Sequence, residues 1–227
     1  MDILGGKMVR EEEKTIEEFM LKFMDDSAHD IEHVYRVLNY SKIIASKYQN
    51  ADKRIVIASA LLHDIGRKVQ FKNPEKCHAK EGGEIAYAFL KKIGWNERDC
   101  QHVKECIVSH RYRTKNKPVT IEAKIIFDAD KLDVTGVIGI ARTFLYQGYV
   151  NIPIYTVNEN NMIHTGKKED PSSFFREYNN KLKKVYNLFY TEEAREIAEI
   201  NKKHSECFYN NLVEEITVAR NMKFEGI

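Results

Sequence analysis

Apolar residues recur along most of this chain with the spacing of helices rather than strands. Val34, Val37, Leu38, Ser41, Ile44 and Ala45 fall on one face of a helix. The spacing predicts a segment from about Ser27 to Tyr48, with Asp25-Asp26-Ser27 as caps and Asp30 three residues after Ser27, as in a capping box. Asp52 opens the next helix, built on the run Ile55-Val56-Ile57-Ala58-Ser59-Ala60-Leu61-Leu62. Gly82-Gly83 precedes or interrupts a short helix through Ile93, and Gly94 closes it. Asn96 caps a helix from Glu97 to Ser109, with Val103, Cys106 and Ile107 facing inward. Pro118 and Thr120 punctuate the chain before Ile121 to Asp133, and a further helix covers Val137 to Tyr146.

From 148 to 166 the pattern changes. Tyr149, Ile152, Ile154, Tyr155 and Val157 are β-prone, and Asn158-Glu159-Asn160-Asn161 is turn-like, so an irregular excursion or a hairpin is expected. Pro171-Ser172-Ser173 starts a helix to about Tyr190, and Thr191 with Glu192 and Glu193 begins the last one. No internal repeat or low-complexity linker interrupts the chain. The expectation is an all-α protein of 227 residues forming one domain, with a core over about 25–147, C-terminal helices over about 172–221, and residues 1–7 as a dispensable leader.

With 36 basic and 34 acidic residues, the charge balance argues against strong nucleic-acid binding through a basic surface. No apolar run reaches the length of a membrane span and no signal-peptide core opens the chain, so a cytoplasmic protein is expected. Cys77, Cys100, Cys106 and Cys207 lack C-x-x-C spacing and read as reduced thiols. Phe174, Phe175, Leu188, Phe189 and Phe208 supply apolar surface for either a core or a homo-oligomer interface.

The chemistry concentrates at His63-Asp64, which closes the apolar run and is followed by Ile65-Gly66. Neighbouring imidazole and carboxylate groups are costly to bury unless a divalent metal offsets the charge. His33 lies on the preceding helix and Asp130 lies in Asp128-Ala129-Asp130-Lys131-Leu132-Asp133, giving the order His, His-Asp, Asp. That order, with the strings His29 to Val37, Leu61 to Gly66, Asp128 to Asp133 and Ile138 to Phe144, resembles the HD-domain superfamily of metal-dependent phosphohydrolases, in its short single-domain bacterial and archaeal form. The resemblance runs from about Ser27 to Gly148.

The resemblance implies an HD-type helical bundle and a metal held by His33, His63, Asp64 and Asp130. Mixed nitrogen and oxygen ligands suit Mn, Fe, Co, Ni or Zn better than Mg. A bound metal lowers the pKa of water from about 15.7 to about 7, supplying the nucleophile. His78 in His78-Ala79-Lys80-Glu81-Gly82-Gly83 and His110 in Val108-Ser109-His110-Arg111 resemble positions that help hold a second ion, so two ions are allowed. His102, His164 and His204 lack such a context and read as surface residues. Phosphoryl chemistry also needs positive charge. Lys68 follows Asp64 by about one turn, with Arg67 as the alternative there, and Arg142, Arg36 and Lys131 are further phosphate-binding candidates. Asp133 shares a face with Asp130 and is a candidate for proton transfer, as are Asp64 and Glu81.

The function expected is hydrolysis of a nucleotide or similar small phosphate ester, including release of pyrophosphate from nucleoside triphosphates by attack of metal-bound water. Two alternatives stand beside it. One is a di-iron oxygenase on the same scaffold, which needs both His78 and His110. The other is a non-catalytic nucleotide-binding module.

Overall fold

The structure is a computed structural model, and it describes residues 3–24, 31–111 and 116–220, with side chains from residue 11 onward. Among these residues the fold is all-α, as the periodicity requires. The chain forms two compact units, residues 1–130 and 131–227, with the division inside one helix.

In the first unit, α1 (Ile3–Leu21) packs on α3 (Lys53–Leu62), and α2 (Ile31–Ala45) packs on α3 as well. The capping box at Ser27 and Asp30 lies outside the described residues. The face of α2 chosen by its periodicity is the buried one: Val34, Val37, Leu38, Ser41, Ile44 and Ala45 are all inside. Asp52 caps α3, accepting from the amides of Arg54 and Ile55 at 2.9 and 3.3 Å. Helix α1 carries no motif and no apolar run in the sequence. It is tied down by Ile16 and Met20, both buried, and by ion pairs that the sequence cannot register. Arg54 is gripped by Glu12, with its guanidinium 3.7 Å over the Trp95 ring, and Lys42 meets Glu13 at 2.6 Å.

After α3 the chain bends through residues 63–66 into the short α4 (Arg67–Lys72), then into α5 (His78–Lys92) and α6 (Glu97–Ser109). Gly82-Gly83 does not interrupt α5 but lies within it. The reason is packing: a Cβ on Gly66 would sit 2.0 Å from the His78 carbonyl oxygen and 2.6 Å from the Gly82 amide nitrogen. The two glycines let the bend touch the α5 backbone. Gly94 ends α5 with φ +92°, a conformation suited to glycine, and the Trp95 amide reaches back to the Leu90 carbonyl at 3.0 Å. Asn96 caps α6 as expected, accepting from the Asp99 amide at 2.9 Å. Helix α7 (Ile121–Leu132) starts where Thr120 accepts from the Ala123 amide at 3.2 Å. Its Glu122 accepts from the Asp52 amide at 2.8 Å and meets His102 at 3.2 Å. His102 is therefore a half-buried tie between helices, not a surface group.

The second unit contains α8 (Gly136–Tyr149), α9 (Phe174–Asn180), a 3₁₀ turn over Leu182–Asn187, and the long α10 (Glu192–Arg220). The helix expected from Ser173 to Tyr190 breaks at Lys181, where α9 gives way to the tighter turn. The irregular excursion is present after α8, with one antiparallel bridge, Val157 to Ile163. It is tied to α9 by the Phe174 and Phe175 amides, which donate to the carbonyls of Pro153 and Ile154 at 3.0 and 3.1 Å. Phe174 and Phe175 are core residues here, with Ile140, Ile163, Tyr178 and Leu182. Tyr178 stacks on Tyr209 of α10 at 4.0 Å between ring centroids.

Candidate metal centre

Four histidines and one aspartate converge inside the first unit. Helix α3 ends at Leu62, so His63 is its C-cap and Asp64 lies in the bend beyond it. That placement lets both side chains serve one centre, whereas neighbours inside a regular helix would diverge by about 100°. His33 comes from α2, His78 from the start of α5, and His110 from the end of α6. All are buried, with His63 at 0% exposure and Asp64 at 1%.

Asp64 sits at the middle, and its two oxygens face different histidines. Oδ2 lies 3.5 Å from His33 Nε2 and 3.6 Å from His63 Nε2. Oδ1 lies 3.7 Å from His110 Nε2 and 3.8 Å from His78 Nε2. Asp130 joins the first group, with Oδ1 3.6 Å from His33 Nε2. The ligand atoms of His33, His63 and Asp64 all lie within 4.8 Å of one another, and so do those of Asp64, His78 and His110. The His63 ring packs edge-on against the rings of both His33 and His110, at 5.2 Å in each case.

The outer nitrogens set the tautomers. His63 Nδ1 donates to the Ala60 carbonyl at 2.8 Å, and His110 Nδ1 to the Ile107 carbonyl at 2.6 Å. His78 Nδ1 donates to Gln70 Oε1 at 2.6 Å. With the proton on Nδ1, each Nε2 presents a lone pair to the centre, the orientation that a metal-binding histidine requires. Burial, opposed by the Asp64 charge, holds His63 below the usual histidine range. Burial and the Arg67 charge push His78 down to about 3. Neutral, unprotonated imidazoles are what a metal binds.

Asp64 is also held low, but by a different cause. Burial by itself would raise its pKa, but the Arg67 guanidinium, His63 and His33 hold it well below the usual carboxylate range. Arg67 Nε donates to Asp64 Oδ2 at 2.8 Å. The buried atoms Asp64 Oδ1 and His78 Nε2 have no hydrogen-bond partner. Buried polar atoms rarely stay unsatisfied. His63 Nε2 and His33 Nε2, 3.2 Å apart, likewise need a proton or a cation between them. A divalent transition metal fits this donor set: neutral nitrogens, an ionised carboxylate, and orphaned atoms aimed at one space.

The other predicted site residues are distributed differently. Lys68 is exposed on α4, while its neighbour Arg67 reaches the centre, and Arg36 is half-buried on α2. Glu81 pairs with Lys76 at 3.2 Å. In the second unit Arg142 donates to the buried Asp133 carboxylate, and Lys131 is half-buried. Gln70, which orients His78, carries no sequence signal, since a single glutamine on a short polar helix is ordinary.

The HD domain family model matches residues 30–135. The YpgQ protein of Bacillus subtilis (strain 168) is 30% identical over 179 residues, covering 77% of this chain and 78% of that one. The crystal structure of Bacillus subtilis YpgQ in complex with ADP superposes with a TM-score of 0.71 at 26% identity, covering 91% of this chain and 96% of that one. An HD-superfamily hydrolase from Bacillus thuringiensis matches with the same TM-score and identity, over 92% and 98% of the two chains.

Proposed function

Because the chain belongs to the HD-domain superfamily of hydrolases, we propose that it is a metal-dependent phosphohydrolase acting on a nucleotide or similarly small phosphate ester. One observation carries the reading. Two buried histidine pairs share the carboxylate of Asp64, and Oδ1 of that carboxylate accepts no hydrogen bond. The ADP complex of YpgQ supports a nucleotide as the ligand class.

In this reading His33, His63, Asp64 and Asp130 would hold one ion, and Asp64, His78 and His110 would hold a second. A divalent metal there would supply Lewis acidity toward a phosphoryl oxygen and would bring the pKa of water to about 7. The protein's own part is to keep the donors ready. The carbonyls of Ala60 and Ile107 and the Gln70 amide oxygen fix three imidazoles with Nε2 inward. Lys68 and Arg36 are assigned to neutralising phosphate charge, a role in which exposure is no obstacle because phosphate arrives from solvent. Lys131 and Arg142 are further candidates for phosphate contact and Asp133 for proton transfer, and the Arg142 charge is met by Asp133. No helix among the described residues is long and apolar enough to cross a membrane.

The test is phosphorus NMR of the protein with Mn²⁺ and a panel of nucleoside and deoxynucleoside mono-, di- and triphosphates. Pyrophosphate from triphosphates assigns attack at the α-phosphorus; orthophosphate from monophosphates makes the protein a nucleotidase. Absence of any phosphate product, with Mn²⁺ bound, would overturn the hydrolase reading.

A further inference from the structure

The two oxygens of Asp64 differ in one respect that the histidines do not explain. Oδ1 faces His78 and His110 and accepts no hydrogen bond, whereas Oδ2 accepts from Arg67 Nε at 2.8 Å. Arg67 gets there because the backbone turns at Gly66, against α5, and starts α4 at residue 67. Its side chain is one-third exposed, while that of Asp64 is 1% exposed, so the guanidinium closes the centre from its rim. A guanidinium donating through Nε anchors the one carboxylate oxygen it meets. With Oδ2 anchored on the His33 and His63 side, Oδ1 is left facing His78 and His110.

We propose that Arg67 is the resident cation of this centre, a positioning residue that holds Asp64 in its bridging orientation while the site is metal-free and whose positive charge then opposes divalent-ion binding. The proposal rests on reading the two triads as metal sites. Two effects of Arg67 act against each other. Orientation of the carboxylate favours metal binding; repulsion between a guanidinium and a doubly charged ion a few ångströms away disfavours it. Inside a buried site, where water screens poorly, the repulsion is the larger of the two.

The experiment is a Mn²⁺ titration against a competing chelator, with melting curves of the metal-free and Mn²⁺-loaded forms, for wild type, Arg67→Gln and Arg67→Lys. Arg67→Gln is expected to bind Mn²⁺ about tenfold more tightly than wild type. Its metal-free form should melt lower while its loaded form changes less, because the ion replaces the lost charge. Arg67→Lys keeps the cation and should bind within about threefold of wild type. If Arg67→Gln is recovered only with Mn²⁺, its rate of Mn²⁺ loss to the chelator is compared with wild type, and slower loss is expected. Equal or weaker binding by Arg67→Gln, Arg67→Lys binding as tightly as Gln, or equal lowering of both melting curves would overturn the role of Arg67. Failure of the wild-type protein to bind Mn²⁺ would instead overturn the reading of the triads.

Discussion

Asp64 lies where burial alone would raise its pKa, and Arg67, His63 and His33 reverse that direction. Removing the charge while keeping the shape is therefore the sharpest single change. Asp64→Asn should weaken Mn²⁺ binding by about 100-fold or more and abolish turnover, since both triads lose their shared anion. Metal content by elemental analysis and phosphate release are the two measurements; full turnover in this variant would sink the metal-site reading. The histidines give a pH prediction for the metal-free protein. His78 titrates near pH 3 when folded, against about 6.5 in an unfolded chain. Between these values the unfolded chain holds a proton that the folded one does not, so stability rises with pH across the window and falls as pH drops below about 6.5. The contribution lost by pH 5 is about 2 kcal/mol for this residue. Asp64 is likewise held below its ordinary value, and its stabilising contribution is lost only as pH falls below the unfolded carboxylate value of about 3.9. Urea unfolding of chelator-treated protein at pH 5 and 7 should show the decline, and His78→Asn should flatten it.

At the level of elements, the bend at residues 63–66 decides which side chains reach the centre. Helical spacing puts Lys68 four residues after Asp64 as a phosphate-binding candidate, with Arg67 as the alternative there. Because α3 stops at Leu62, the chain turns in the bend, and it is Arg67 that returns to Asp64. The His-Asp pair, the faces of α2 and α6 and the caps Asp52 and Asn96 were legible because each is a local pattern. Helix α1, Gln70 and the Gly66–Gly82 approach were not, because each depends on a partner distant in sequence or across a bend. That approach is testable by comparing glycines. Gly66→Ala forces a carbon to 2.0 Å from a backbone oxygen and should cost about 3 kcal/mol or more, with loss of Mn²⁺ affinity as His78 shifts. Gly94→Ala meets open space and carries only the strain of φ +92°, about 1–2 kcal/mol, with Mn²⁺ binding intact. Thermal melting and Mn²⁺ titration of both variants separate the two cases, and equal costs would refute the packing argument.

For the molecule as a whole, the centre draws its donors from positions 33 to 130, spread over α2, the end of α3, α5, α6 and α7. An unfolded chain cannot hold these donors together, so the free energy of metal binding is added to the stability of the fold. At a free metal concentration one hundred times the dissociation constant, the gain is about 2.7 kcal/mol for one site. For a chain of this size each kcal/mol moves the midpoint by about 2–4 °C, so saturating Mn²⁺ should raise the melting temperature by roughly 8 °C over chelator-treated protein. The carboxylate of Asp64 serves both histidine pairs, so Asp64→Asn should erase the whole rise, while His110→Ala, which leaves His33, His63 and Asp130 in place, should erase only part of it. Scanning calorimetry of the three proteins with and without Mn²⁺ reads this directly. A rise of equal size in all three would show that Mn²⁺ acts elsewhere on the protein, and no rise in any would show that these donors hold no metal.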